Sequence, residues 1–519
     1  MALICLHNGQ VYGPQGLQGA SAVVIDNGII TYVGDESGVS RFIFGNIDKI
    51  DVGGRIIFPG FIDTHLHLTE WARRREHLDL GSFISLKETC DFIREEAEDR
   101  EWIIGGGWNQ NAWKEQRFPH RKDLDFLGQE KKAVLFSKDL HSAWVNDGIL
   151  NLFDFEDVLK MLHKGYVQRD ADGRLTGLLH EEALEVLLDP LLRVRPTGIF
   201  REPESYFSDF YRLGITSVHT MEHFENYKKY LTLYQHSAQR GLRLGVYIYN
   251  SDSEEVYERG LRHGNGGDWL RFLGIKIFVD GALGSQTAWL RQPYENALHY
   301  GKKQMHGDEL MRAIARAEGH ACALSVHALG DAAVEHLLDI LDQFGRPLRV
   351  PLRIEHAQLL DPELIRRIAE HSIPLSLNPA HIIDDKSIAE LHWGDRSRYA
   401  YPFHSLKTAG IPFGFASDAP VESIHPWKGI YAAVQRTGKD DTEPWYPEES
   451  IRISDAVRAY SSQAALLSGW NEKKGLIMPG YLGDCFVCDR DVFEQDLEDW
   501  KNIHSVLTVI GGRIVHKEM

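Results

Sequence analysis

Residues 60–67 read GFIDTHLH, a short apolar run that ends in two histidines, His65 and His67. On an extended strand, side chains two positions apart share a face, so both imidazoles project together from one strand end. Two neutral rings in that position can hold one divalent metal ion. For such a pair taken alone, hydrogen-bonded core histidines are the plainer reading. The choice between the two depends on what the rest of the chain places beside it.

Seven further stretches have the same short, apolar, β-branched character: GITSVHTM (214–221), LRLGVYIYN (242–250), RFLGIKIFVDG (271–281), ALSVHALGD (323–331), PLRIEHAQ (351–358), IPLSLNP (373–379) and IPFGFASDAP (411–420). Between them lie mostly helix-forming segments; AVEHLLDILDQFG, for example, places apolar residues at three- and four-residue spacing. Eight strands alternating with helices predict an α/β fold, a (β/α)8 TIM barrel. About 145 residues separate the first strand from the second, far more than one crossover needs, which predicts a large insertion after barrel strand 1, at about 70–210, near the active-site mouth. The first ~57 residues and the last ~45 are rich in short strands and in Gly, Asn and Asp turns. Residues 1–57 plus 468–519 are therefore expected to form one small β-sandwich domain built from both termini, around a barrel domain spanning 58–467.

The other strand ends bear on the histidine pair. His327 ends LSVH, His356 ends LRIEH, Asp418 ends FGFASD, and Lys276 sits within LGIKIFVDG. The C-terminal strand ends of a barrel converge on one mouth, where its catalytic groups collect. A buried His, Asp or Lys on an apolar strand costs several kcal/mol unless it is paired or bound to metal. Six such groups at strand ends are poorly explained as separate structural accidents.

The order HxH, Lys, His, His, Asp resembles the metal-ligand pattern of the amidohydrolase superfamily. Local strings are similar to its YtcJ-like branch, which includes N-substituted formamide deformylases: PGFIDTHLH, GGGWNQNAW, LHSAWVND, KIFVDGALGSQTA, VHALGDAAV, RIEHAQ, ASDAPVESIHPWKGIYAAVQR and GYLGDCFVCDRDVF. The resemblance implies a metal-dependent hydrolase with two divalent metal ions, zinc for preference. It implies that His65, His67 and Asp418 bind the more buried metal and that His327 and His356 bind the second. Lys276 would bridge the two as a carbon dioxide-derived carbamate, and Asp418 would be the catalytic base. Trp108 and His141 match strings expected to line the substrate pocket, with packing the alternative for Trp108. Arg396 matches a recurrent arginine that either binds an anionic substrate group or braces a loop. Gln286 stands where the branch commonly has Arg, a departure that bears on specificity. His219 reads as structural or supporting; His381 and His392 follow the seventh strand on a loop, where solvent exposure is the plainer reading and contact with substrate the alternative.

The implied reaction is cleavage of a carbon–nitrogen bond in an amide, N-formyl or N-acyl substrate. An esterase or cyclic amide hydrolase using the same metal site is the alternative, since fold does not choose between them. A non-catalytic barrel scaffold is disfavoured because all six ligand positions are filled. Trp108, Trp113 and Trp144 hint at an apolar or aromatic substrate group. The 519 residues are 43% hydrophobic and 25% charged, with 57 Lys and Arg against 75 Asp and Glu and a net charge of −18. That balance argues against a nucleic-acid surface. No apolar run reaches the ~18 residues that span a bilayer, and the N-terminus does not read as a signal peptide. Five cysteines, an odd and sparse set, suggest reduced thiols and a cytoplasmic address. The expected partner is a small-molecule substrate, with a homodimer as one assembly open to the chain. Cys485 and Cys488 form a CxxC within a strand, where alternation points the two thiols to opposite faces.

Overall fold

All eight predicted barrel strands are present in the computed structural model: β1 (Phe61–Leu66), β2 (Ile215–Glu222), β3 (Arg243–Tyr249), β4 (Leu270–Phe278), β5 (Ala323–Ala328), β6 (Leu352–His356), β7 (Leu375–Leu377) and β8 (Phe413–Phe415). The structure describes residues 3–17, 19–42, 47–110, 112–138, 142–153, 167–180, 183–184, 197–236, 241–295, 297–439, 442–494 and 497–519. The strands lie side by side in chain order, and every pair in the ladder is parallel. Helices cover one face of such a sheet and barrel side chains fill the other, so its strands are apolar on both faces. Every residue of β1 and β2 is buried.

The ladder has a gap between β8 and β1, which side chains and strand ends span. The Thr64 hydroxyl donates to Phe415 O (3.0 Å) and pairs with Ser376 Oγ (2.8 Å). Beyond the strands, Asp418 N donates to His65 O and His67 N to Ala419 O, each at 2.8 Å. The crossover helices start at local signals. Pro362–Glu370, for example, is capped by Asp361, whose carboxylate accepts from Leu364 N at 2.9 Å, with Pro362 opening the first turn. Its Leu364, Ile365 and Ile368 are buried.

Strands from the two chain ends form a sandwich. One sheet runs Ile29–Gly34, Ala22–Asp26, Ile4–His7, Asp48–Asp51; the other runs Arg513–Lys517, Ser505–Ile510, Cys485–Cys488, Ile56–Pro59, Gln10–Gly13, Gly16–Leu17. Leu6, Val23, Ile25, Ile57, Val487 and Val509 meet in its core. A buried ion pair ties the C-terminal sheet to the barrel: Arg243 of β3 donates Nε and Nη2 to the Asp484 carboxylate at 2.6 and 2.8 Å. Lys474 Nζ stands 3.4 Å from the same carboxylate. All five cysteines are free and buried, and burial pushes the Cys485 and Cys488 thiols up, which removes them from thiolate chemistry.

The chain divides into two compact units, Met1–Leu68 with Glu202–Met519, and Thr69–Arg201. The helix Pro203–Tyr211 falls in the first, where Thr508 Oγ1 donates to Tyr211 O at 2.6 Å. The second unit has its own six-stranded sheet and its own core, which includes Leu80, Ile93, Trp108, Trp113, Trp144 and Leu178.

Candidate metal centre

Barrel closure brings the strand-end groups together. The His65 ring centroid lies 5.4 Å from that of His67 and 5.0 Å from that of His356. His327 and His356, on neighbouring strands, are 4.4 Å apart by the same measure. Asp418 Oδ1 stands 3.4 Å from His65 Nε2 and 3.3 Å from His67 Nε2. One ligand atom from each of these three residues lies within 4.8 Å of the others. Lys276 is buried, and its Nζ has no hydrogen-bond partner among the described residues. Among the described residues no ion pair joins Lys276 to Asp280, the next carboxylate along the chain. The Asp280 carboxylate instead accepts from the backbone amides of Trp289, Leu329 and Gly330.

Hydrogen bonds behind the rings set which nitrogen faces the centre. His65 Nδ1 is 2.6 Å from Glu355 Oε2, and an ionised carboxylate only accepts, so Nδ1 carries the proton and Nε2 presents a lone pair. His356 Nδ1 lies 2.8 Å from Asn378 Oδ1, with the same consequence. His327 Nε2 donates to Gly281 O at 3.0 Å, which leaves Nδ1 as its lone-pair nitrogen. His67 Nδ1 pairs with the Tyr249 hydroxyl at 2.7 Å.

A cation fits this arrangement. Donors each ~2.0–2.1 Å from a shared zinc ion at tetrahedral angles stand roughly 3.3–3.4 Å apart. The two Asp418–imidazole separations, 3.3 and 3.4 Å, have that length. Asp418 Oδ1 is buried and has no hydrogen-bond donor among the described residues. A buried anionic oxygen facing an imidazole lone pair is unfavourable until a positive charge lies between them. The residues thus fit a divalent metal by donor type, spacing and unmet need.

Electrostatics keep the donors in their ligating forms. Burial, reinforced by Lys276, pulls His65 down to about 4 and His327 down to about 3. Burial and the neighbouring His327 hold His356 well below the ordinary imidazole value. Burial lowers Lys276 to about 8, against the pull of Glu355 and Asp418. Two of these positions adopt left-handed backbone, His356 at φ 69° and Asp418 at φ 59°. Non-glycine residues in that region cost energy and cluster at functional sites.

The weaker sequence candidates divide. Trp108 is fully buried in the core of the second unit, stacked on Trp113, with Nε1 donating to Leu135 O at 2.7 Å. Arg396 places its guanidinium on three backbone carbonyls, Trp393 O, Gln292 O and Pro293 O, at 3.1, 3.0 and 2.7 Å, the bracing arrangement. His141 lies outside the described residues. His219 is buried in the barrel interior, its Nδ1 2.9 Å from Arg353 Nη1. Gln286 Nε2 is 3.4 Å from His392 Nε2. Glu355, Tyr249 and Asn378 were missed as partners of the histidines. The signal for Glu355 was present: Arg353 and Glu355 are two charged residues, two apart, on an otherwise apolar strand.

Comparison with known proteins agrees with this geometry. The amidohydrolase family profile matches residues 48–516. The chain is 29% identical over 516 residues to the putative amidohydrolase YtcJ of Bacillus subtilis, covering 96% of each. It is 24% identical to the N-substituted formamide deformylase of Arthrobacter pascens, covering 95% of this chain and 94% of that one. A solved structure of an uncharacterized metal-dependent hydrolase from Pyrococcus horikoshii OT3 superposes with a TM-score of 0.83 at 27% identity, covering 96% of this chain and 99% of that one. With a match that runs from the N-terminal strands through the barrel to the last strand, the chain belongs to the amidohydrolase family and is a metal-dependent hydrolase.

Proposed function

We propose that this enzyme hydrolyses the carbon–nitrogen bond of a small amide, an N-formyl or N-acyl amine. The observation that carries the reading is the triangle of buried His65, half-buried His67 and buried Asp418, whose Oδ1 lacks a donor among the described residues. His65, His67 and Asp418 would hold one divalent metal, zinc by donor type, and His327 with His356 a second. Lys276 would lie between them as a carbamate, formed when its neutral amine adds to carbon dioxide and releases a proton. Its buried Nζ, unpartnered among the described residues, supports this, because a free ammonium would repel both metals. When bound, such ions acidify a water molecule and polarise the scissile carbonyl. Asp418 accepts the proton of the attacking water and delivers it to the departing amine nitrogen as the bond breaks. The deformylase relative supports carbon–nitrogen chemistry over ester chemistry. Five free, buried cysteines support a reducing, cytoplasmic setting.

The test is a panel of N-formyl amines, N-acyl amines, esters and lactams presented to zinc-loaded protein, with release of amine or alcohol measured. Turnover of the N-formyl or N-acyl amines is expected. Turnover confined to esters or lactams would replace this reading with the alternative one.

A further inference from the structure

We infer that Glu355 is a positioning residue that locks the His65 ring with its Nε2 lone pair toward the metal position. The inference rests on the reading of the site as a metal centre. Glu355 is 0% exposed, and it meets His65 at Nδ1, the ring nitrogen turned away from Asp418. Its Oε2 accepts from His65 Nδ1 at 2.6 Å, and its Oε1 accepts from Ser325 Oγ and from Arg353 Nε, both at 2.5 Å. Arg353 in turn donates Nη2 to Thr64 O at 2.8 Å and Nη1 to His219 Nδ1 at 2.9 Å.

Arg353 and Glu355 are two apart on β6 and so project into the barrel together. They grip two consecutive residues of β1, one by its backbone carbonyl and one by its ring. A guanidinium only donates, so the Glu355 carboxylate accepts hydrogen bonds from Arg353 and Ser325 at one oxygen and is left as a pure acceptor at the other. His65 must then donate from Nδ1. A ring free to turn or to change tautomer would place an N–H against the metal position in some of the molecules. Partners of this kind behind a metal ligand are typically worth ~10–100-fold in metal affinity.

The experiment measures zinc affinity by chelator competition, together with thermal melts of the metal-free proteins. Glu355→Gln keeps the shape but can turn its amide to donate to His65 Nδ1, and zinc binding is expected to weaken by ~10–100-fold. Arg353→Met/Glu355→Met removes both buried charges at once, leaves neither unpaired, and is expected to show the same loss. Asp484→Asn breaks a buried ion pair elsewhere in the same unit and is expected to lower stability while leaving zinc affinity unchanged. Nitrogen-15 histidine spectra of metal-free wild-type protein should show His65 protonated at Nδ1, a readout that needs no variant. Zinc affinity in Glu355→Gln within about twofold of wild type would overturn the inference. An equal loss in Asp484→Asn would do the same, as would His65 protonated at Nε2. In each of these cases wild-type zinc binding, and with it the metal reading, still stands. Wild-type protein that takes up no zinc overturns both.

Discussion

Replacing Asp418 by Asn separates the metal-free fold from the metal site. Asp418 Oδ1 is a buried oxygen with no donor among the described residues, 3.4 Å from His65 Nε2 and 3.3 Å from His67 Nε2. An asparagine in the same place tolerates the left-handed backbone at φ 59° and offers an N–H to the His65 Nε2 lone pair. One net hydrogen bond is worth ~0.5–1.5 kcal/mol. In a domain this large that corresponds to a rise of roughly 1–3 °C in Tm. With zinc the order reverses. The amide is a poor ligand and cannot take the proton of the attacking water, so kcat should fall by at least ~10²–10⁴-fold. Stabilisation by zinc, ~3–4 kcal/mol for wild type at 100 to 1,000 times Kd, should shrink or vanish. The assay is a pair of thermal melts at pH 8.5, with chelator and with zinc, beside metal content and turnover. A metal-free variant melting many degrees below metal-free wild type would refute the electrostatic account. A variant with full zinc content and near-wild-type turnover would refute the proposed role.

His65→Ala and His67→Ala should each lose metal and nearly all hydrolytic activity while circular dichroism stays native; full metal occupancy in both would rule out the assignment. Lys276→Ala should lose one metal equivalent and most turnover, and a structure of metal-replete wild type should show the side chain carboxylated; an unmodified amine beside a single metal would decide against the bridge. Asp484→Asn should destabilise the first unit by ~3–5 kcal/mol, because it leaves Arg243 and Lys474 as uncompensated buried cations; a denaturant midpoint equal to wild type would contradict this. Burial would raise the Asp484 pKa, but Arg243 and Lys474 outweigh it and hold it at about 2. Since an unfolded aspartate titrates near ~3.9, its contribution of ~2–3 kcal/mol is complete above that value and is lost as pH falls towards the folded one. A wild-type acid transition that Asp484→Asn leaves unmoved would show that the pair plays no part in it.

Much of this molecule is written locally. Each barrel strand announces itself as a short apolar run bounded by turn residues; six of the eight observed strands fall inside the predicted stretches, while β2 runs one residue past its stretch to Glu222 and β4 starts one residue before its stretch at Leu270. The strand-end groups His65, His67, Lys276, His327, His356 and Asp418 stand out for a related reason, as polar residues on strands that are otherwise buried. Periodicity and turn chemistry act over a few residues, so they survive in the sequence of a single chain. Partnerships across the barrel do not. His65 meets Glu355 290 positions away, and Thr64 reaches Phe415 across 351, because closing the sheet puts first and last strands side by side. Nothing near RIEH says which histidine its glutamate will face, nor which nitrogen of that ring is left bare. The same holds for the side chains around Arg396 and Trp108: a matching string names the residue, but three backbone carbonyls claim the guanidinium and a tryptophan-rich core claims the indole. The sequence by itself determined which elements form and which polar groups the barrel must accommodate. The tertiary structure decided which of those groups meet, with which atoms, because donor–acceptor geometry exists only after distant strands have been brought into register.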